Sequence, residues 1–167
     1  MVEVFQREYA FATLANGNET LHTTLVTTCT LWYGIDEKNG VAFICHIDFP
    51  CFANTIPQIL RELLELVPSE HSFRSFILGG YCWSWWSKIT KNKIQEQCAL
   101  NSNVKITIEN SLLRPSILGE GYSIDVRTGK INKSSSKALI RTSIHERLAN
   151  IKHIISLKPM KRAPFSA

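Results

Sequence analysis

The segment from Thr23 to Pro50 constrains the fold most, because it predicts two β-strands joined by a turn. Both halves are rich in β-branched and aromatic residues, and Asp36–Gly40 between them has the composition of a turn. Cys29 lies in the first half, and His46 and Asp48 lie in the second. A thiol, an imidazole and a carboxylate are the groups that a cysteine hydrolase combines. The function therefore depends on whether strand pairing brings these three side chains together.

Three registers of this hairpin fit the sequence. A tip at Glu37–Lys38 places Cys29 directly opposite His46, with Cβ atoms about 4.5–5.5 Å apart. A tip spanning Glu37–Gly40 makes the two residues diagonal neighbours, about 7–8 Å apart on one face. An Asn39–Gly40 turn, the strongest short hairpin signal, separates them. The local sequence leaves all three registers open.

Composition limits the class of protein. The chain is 44% hydrophobic and 20% charged, as expected for a soluble globular protein, and no apolar run reaches the roughly 18 residues of a membrane span. The first residues have no signal-peptide pattern. Five cysteines with irregular spacing indicate free thiols in a reducing cytosol. We therefore predict a single domain over residues 1–157, a basic tail over residues 158–167, and a cytoplasmic location.

The charge pattern gives weak evidence about partners. The net charge is +5, with much of it in the last third of the chain. A basic tail can contact nucleic acid, but no motif of stacking aromatic residues accompanies it. We expect no nucleic-acid partner, no membrane contact and a monomer.

The remaining segments predict an α/β (α+β) sandwich, with a mainly antiparallel mixed sheet packed by about three helices. A capping box at Thr55–Gln58 predicts the start of a helix that Pro68 ends. A second helix is predicted over residues 85–99, with Trp86, Ile89 and Ile94 on its inner side. The third is predicted to start at Ser143.

An aromatic cluster at residues 81–86 precedes and enters the second predicted helix. It fits a hydrophobic seal over the sheet, which we favour, or an aromatic wall that lines a substrate site.

The sequence contains no phosphate-binding glycine loop, dinucleotide fingerprint or nucleophile elbow. Strand alternation points Cys45 and His46 to opposite faces, which disfavours a metal site and makes Cys45 a small buried hydrophobe. We expect no cofactor and no metal. Cysteine chemistry remains, with His46 lowering the pKa of the Cys29 thiol and Asp48 fixing the tautomer of His46. Backbone N–H groups at Thr28 and Cys29 could form an oxyanion hole if the chain bends there.

A family resemblance adds to this interpretation. Thr27-Thr28-Cys29, followed by His46-Ile47-Asp48, resembles the Thr-Thr-Cys…His-x-Asp core of protein N-terminal asparagine amidohydrolases. The segment is also similar to the chemoreceptor glutamine deamidases (CheD) and, more distantly, to the deamidase domains of cytotoxic necrotizing factor toxins. Further matches are the Gly79-Gly80 strand end and the strand-turn-strand segment at residues 121–130. The resemblance spans roughly residues 23–131 and implies a CheD-like deamidase fold.

The resemblance implies the catalytic residues. Cys29 would be the nucleophile, His46 the base, and Thr23 the hydroxyl that positions the substrate or His46. Thr27 is an alternative hydroxyl, and Thr27 with Thr28 would form a bend that presents the nucleophile. Asp48 would have a supporting role.

The resemblance also implies the reaction, which is hydrolysis of an Asn or Gln side-chain amide on a protein or peptide through a Cys thioester. We assign Gly79, Gly80 and Tyr81 to substrate binding. Two other hypotheses stay open, namely a non-catalytic binding module and another thiol hydrolase or acyl transferase. The enzyme could be a housekeeping protein or an effector delivered to a host cytosol.

Overall fold

The computed structural model describes residues 1–17, 19–26, 29–79, 85–112, 120–135, 151–153 and 158–164. Its strands are β1 (Val2–Val4), β2 (Glu8–Thr13), β3 (Thr20–Val26), β4 (Thr30–Asp36), β5 (Val41–Ile47), β6 (Phe73–Gly79), β7 (Ile106–Leu112), β8 (Glu120–Asp125), β9 (Ile131–Ser135) and β10 (Lys161–Arg162). Its helices are α1 (Ile56–Leu64) and α2 (Trp85–Leu100), with 3₁₀ turns at Leu14–Asn16 and Pro50–Thr55 and helical residues at 151–153.

The strands form two sheets. One has the order β1-β3-β8-β9 and the other the order β10-β2-β5-β4-β6-β7. The pairs β1–β3, β2–β10 and β6–β7 are parallel, and the other pairs are antiparallel. The α+β sandwich class is confirmed. The chain passes between the two sheets several times, for example from β3, which ends at Val26, to β4, which begins at Thr30.

The larger sheet is buried on both faces, and β5 lies near its centre. Phe43 and Cys45 belong to the core beneath the helices, whereas Ala42 and Ile44 belong to the core between the two sheets. Cys45 is fully buried, which confirms its prediction as a small buried hydrophobe. The same alternation directs His46 toward the four-stranded sheet.

The hairpin between β4 and β5 has the register with a tip at Glu37–Gly40. Thr30 pairs with Ile47, and Asp36 pairs with Val41, so that register is confirmed and the other two are wrong. The Asp36 carboxylate accepts hydrogen bonds from the backbone and side-chain nitrogens of Asn39, at 3.1 and 2.7 Å. These bonds stabilise a four-residue connection in which Asn39 is bound to the Asp36 side chain, instead of a two-residue turn of Asn39 and Gly40.

Helix α1 begins within one residue of its predicted start, but the predicted capping box is wrong. The Thr55 side chain makes no cap hydrogen bond, and its hydroxyl oxygen accepts the backbone N–H of Met160 at 3.3 Å. The helix ends at Leu64, before Pro68.

Helix α2 has the predicted bounds within one residue. Of its predicted inner residues, Ile94 is buried, Ile89 is half-buried and Trp86 is exposed. Ser87, Thr90 and Ile94 are its buried residues, whereas Trp85 and Trp86 are 60% and 46% exposed. These two side chains therefore do not seal the sheet. Residues 81–84 lie outside the described residues.

Residues 158–164, which we assigned to a basic tail, pack into the fold. Strand β10 pairs with β2, and Met160 and Ala163 on either side of it are buried in the two cores. The predicted start of the third helix, at Ser143, lies outside the described residues. Among the helices that the structure describes, none is long and apolar enough to cross a membrane.

Candidate active site

Three of the predicted site residues lie where the chain passes from one sheet to the other. Thr23 is on β3 of the four-stranded sheet, and His46 is on β5 of the six-stranded sheet. Cys29 lies in a bend directly before β4. All three side chains are buried, being 0%, 2% and 5% exposed for Thr23, His46 and Cys29.

A hydrogen bond across the sandwich joins Thr23 to His46. The Thr23 hydroxyl donates to the carbonyl oxygen of Val4 at 2.7 Å and lies 2.9 Å from Nδ1 of His46. A hydroxyl has one proton, so if Val4 takes it, the Thr23 oxygen must accept a bond from Nδ1–H. That assigns the lone pair of the imidazole to Nε2. Nε2 is buried and has no hydrogen-bond partner among the described residues.

Burial determines the charge of this imidazole. Desolvation lowers the pKa of His46 from 6.5 to about 4, because the cation is poorly solvated between the sheets. His46 is therefore neutral near pH 7, and a neutral imidazole with a lone pair on Nε2 can accept a proton.

Cys29 lies diagonally across from this imidazole in the hairpin register. Leu31 pairs with His46, and Cys29 precedes Leu31 by two residues. Residues in this relation are about 7–8 Å apart and share a face where both strands are extended. Cys29 lies in a bend before Thr30, the first paired residue, so the register brings the Cys29 backbone to the end of β5 and the bend sets the direction of the thiol.

Gly79 allows β6 to end against the backbone of Cys29. It pairs with Thr30 and has a φ of +76°. A Cβ atom at Gly79 would lie 2.6 Å from the carbonyl oxygen of Cys29 and 2.8 Å from Cγ1 of Val26. Gly79 therefore packs closely against Val26 and the backbone of Cys29. Gly80 and Tyr81, the other residues assigned to substrate binding, lie outside the described residues.

Gly79→Ala should destabilise the protein more than Gly17→Ala, and urea unfolding would measure the difference. Both glycines have positive φ, which costs about 1–3 kcal/mol in a non-glycine residue. A Cβ at Gly17 meets nothing within 4 Å, whereas one at Gly79 meets the Cys29 backbone, so only Gly79→Ala adds a clash. Equal losses of unfolding free energy would contradict this account.

Asp48 makes its described contacts with residues other than His46. Its Oδ2 accepts from Nε of Arg7 at 2.7 Å and from Gln6 at 3.1 Å, and its Oδ1 accepts the N–H of Phe49 at 3.0 Å. We expected Asp48 to orient His46, but the contact to Nδ1 comes from Thr23. Asp48 is connected to His46 indirectly, since the backbone N–H of Arg7 donates to the carbonyl oxygen of His46 at 2.8 Å.

Sequence analysis missed Arg7, although this residue links two parts of the site. Arg7 is 3% exposed, its φ is +62°, and its guanidinium lies 4.1 Å from the ring centroid of Phe52. No motif or periodicity marks it, because a left-handed arginine has no sequence signature. Thr27 and Thr28, the other assigned supporting residues, lie outside the described residues.

A small cleft of about 150 Å³ opens beside the first residue of β4. It is lined by Gln6, Thr30, Asp48, Phe49, Trp86, Ser87 and Thr90. Thr30 pairs with Ile47 on the face of the sheet that the helices cover, and none of Thr23, Cys29 and His46 lines the cleft. Within the described ranges, no three His, Cys, Asp or Glu side chains are grouped as metal ligands.

One family of known proteins matches almost the whole chain. A family model described as protein N-terminal asparagine amidohydrolase matches residues 1–161. No match was found among curated proteins. The family match includes Thr23, Cys29 and His46 and ends at the first residue of β10, and it confirms the resemblance that the Thr-Thr-Cys and His-x-Asp segments indicate. The chain belongs to the protein N-terminal asparagine amidohydrolase family.

Proposed function

We propose that this protein is a cysteine-dependent amidohydrolase that converts the side-chain amide of an Asn or Gln residue in a protein or peptide into the acid. The observation that carries the proposal is the hydrogen bond between Thr23 and Nδ1 of His46, which leaves Nε2 as a buried base. The amidohydrolase family supports the reaction class, and the family's description favours asparagine over glutamine as the first substrate to test.

The first half of the reaction forms a thioester. The Cys29 sulfur attacks the carbon of the side-chain amide, and Nε2 of His46 accepts the thiol proton. The carbon–nitrogen bond then breaks, and the imidazolium returns the proton to the nitrogen, which leaves as ammonia. The backbone N–H of Cys29 would contribute to stabilisation of the oxyanion.

The second half of the reaction hydrolyses the thioester. His46 takes a proton from water, the oxygen attacks the carbonyl carbon, and the carbon–sulfur bond breaks. The sulfur recovers the proton from His46, and the product is a carboxylic acid on the substrate. Thr23 acts throughout by holding the imidazole in the tautomer that this cycle needs.

Peptides that carry Asn or Gln, at the N-terminus or internally, would test the reaction. Ammonia release, together with the small mass increase from amide to acid, is the expected result for at least one peptide. Cleavage of the peptide backbone without ammonia release would favour another thiol hydrolase. Binding without any chemistry would favour a non-catalytic module.

Thr23→Val should lower kcat by about 10- to 100-fold, the loss found when the hydrogen-bond partner that orients a metal-bound histidine is removed. Valine keeps the shape of threonine but cannot bond to Nδ1 of His46, so the ring loses its fixed tautomer. KM should change little, because the hydroxyl is used in bonds to Val4 and His46. Steady-state kinetics on the best peptide would measure both constants.

Thr23→Ser keeps the hydroxyl and should recover most of the activity. Thr24→Val is the matched control, since Thr24 is the next residue along β3 and is also buried. Activity in Thr23→Val equal to that in Thr24→Val would contradict the role of Thr23.

A further inference from the structure

The turn between β1 and β2 contacts both members of the Thr23–His46 pair. We call residues 5–8 the β1–β2 turn, and it leads from the four-stranded sheet to the six-stranded sheet. Val4, directly before the turn, accepts the Thr23 hydroxyl at 2.7 Å. Arg7, the third residue of the turn, donates its backbone N–H to the carbonyl oxygen of His46 at 2.8 Å. The position of the imidazole relative to the Thr23 hydroxyl therefore depends on the conformation of this turn.

Arg7 has a backbone conformation that arginine disfavours. The N–H of Glu8 donates to the carbonyl oxygen of Phe5 at 3.0 Å, which closes a four-residue β-turn, and Arg7 has a φ of +62° at its third position. A positive φ at this position favours glycine or asparagine, because the Cβ atom of other residues is crowded there. Such a conformation persists only where the surrounding structure stabilises it. The contacts of the Arg7 side chain provide that stabilisation.

A buried ion pair joins the β1–β2 turn to the chain directly after β5. Nε of Arg7 donates to Oδ2 of Asp48 at 2.7 Å, and both side chains are 4% exposed. The side chain of Gln6, also in the turn, donates to the same oxygen at 3.1 Å. Separating Arg7 from Asp48 would leave unpaired charges away from water, which is strongly unfavourable. The ion pair therefore opposes any movement of the turn relative to the end of β5.

The Arg7 side chain lies away from the groups that would react. Its guanidinium is 4.1 Å from the ring centroid of Phe52, which belongs to the core beneath the helices. The imidazole of His46 points the other way, to Thr23 on the four-stranded sheet. The described contact between Arg7 and His46 is made by the two backbones. Arg7 is therefore a candidate positioning residue, which would act on the imidazole through the main chain.

We propose that the Arg7–Asp48 ion pair holds the β1–β2 turn in the conformation that keeps His46 in the tautomer with its proton on Nδ1. This inference rests on the proposed function, because the tautomer matters for catalysis only if His46 is the base. If the Val4 carbonyl moved away, the Thr23 hydroxyl could donate its proton to Nδ1 instead. The imidazole proton would then be on Nε2, and that nitrogen could not accept the thiol proton.

The double variant Arg7→Met/Asp48→Asn removes the ion pair without leaving one buried charge unpaired. Asparagine keeps an oxygen for the N–H of Phe49, which the Asp48 carboxylate accepts at 3.0 Å. We expect kcat to fall about tenfold, the lower end of the losses found when the group that orients a metal-bound histidine is removed. KM should change little, because both side chains are buried.

Two further variants control for loss of charge and for shape. Arg74→Met/Glu37→Gln removes an arginine–carboxylate pair that is exposed, and it should keep the wild-type kcat. Arg7→Lys keeps the positive charge beside Asp48 and should recover most of the activity that the double variant loses. A fall in kcat of the same size in Arg74→Met/Glu37→Gln would contradict a specific role of Arg7.

Nitrogen-15 NMR of the histidine side chains at pH 7 tests the inference without a substrate. Comparison with His46→Gln identifies the signals of His46. In the wild-type protein Nδ1 should have the shift of a protonated nitrogen and Nε2 that of a nitrogen with a lone pair. In Arg7→Met/Asp48→Asn both shifts should move toward each other, because the two tautomers become populated. A loss of stability alone would not change the tautomer of the folded protein.

The outcomes separate this inference from the proposed reaction. Altered His46 shifts in the double variant support the positioning role even if the wild-type protein releases no ammonia, a result that would reject only the proposed function. A folded double variant with wild-type shifts, or with altered shifts and wild-type kcat, would overturn the inference. If circular dichroism shows that the double variant is unfolded, Asp48→Asn alone takes its place. Unchanged His46 shifts in that variant would overturn the inference as well.

Discussion

Cys29→Ala should abolish ammonia release from every peptide that the wild-type protein deamidates. No other group in the proposed cycle can form the thioester, so we expect kcat to fall by about ten-thousandfold or more, as when a covalent nucleophile is removed. The substitution removes a sulfur atom and adds no group to a site that is 5% exposed. The fold should therefore persist, with a change in unfolding free energy of about 1 kcal/mol.

Cys51→Ala is the matched control for Cys29→Ala. Cys51 is an exposed free thiol on the 3₁₀ turn between β5 and α1, and the proposed reaction does not use it. Ammonia assays and mass spectrometry on the same peptides should give wild-type rates for Cys51→Ala. Deamidation by Cys29→Ala at more than a small fraction of the wild-type rate would reject the thioester route.

Much of the fold could be predicted because local patterns determine it. The strands at 30–36, 41–47 and 73–79 follow from β-branched runs and turn residues, and the helix at 85–100 follows from a helix start signal in the sequence. The division into two sheets could not be predicted, since strands that are consecutive in the chain, such as β1 and β2 or β3 and β4, join different sheets. Strand periodicity is the same whichever sheet a strand joins.

The register between β4 and β5 shows how a side chain can decide between local alternatives. Asn39–Gly40 has the strongest turn preference. The Asp36 carboxylate, however, accepts hydrogen bonds from both nitrogens of Asn39 and from the backbone N–H of Ser72, the last at 3.0 Å. The bond to Ser72 comes from a distant part of the chain, so a local pattern cannot reveal it. This register places Cys29 two residues before Leu31, the partner of His46.

The candidate site could be predicted in part. Alternation predicts that His46 and Cys45 face opposite ways, and the structure agrees. The partner of Nδ1 could not be derived from spacing, because Thr23 lies on the other sheet. Asp48 has the correct spacing for that role, but Arg7 binds its carboxylate.

His46→Gln should lower kcat/KM by about 10²- to 10⁴-fold, the usual contribution of a general base. Glutamine has a similar length and can still bond to Thr23, but it cannot accept and return a proton at neutral pH.

The pH profile of the wild-type rate provides the sharper measurement. Since burial lowers the pKa of His46 to about 4, the wild-type rate should stay level as the pH falls from 7 and should decline with a midpoint near that pKa.

The direction of this pH dependence follows from the proton that His46 must accept. Below about pH 4 the imidazole is already protonated and cannot act as a base, so activity disappears on the acidic side.

Folding stability changes over a different pH range. The unfolded chain takes up a proton on this histidine near its ordinary pKa of 6.5 and the folded chain takes it up near 4, so folding stability is full above 6.5 and declines as the pH falls toward 4. Circular dichroism at each pH would separate unfolding from titration of the base. A folded protein whose activity declines with a midpoint near 6.5 would contradict a buried, neutral His46.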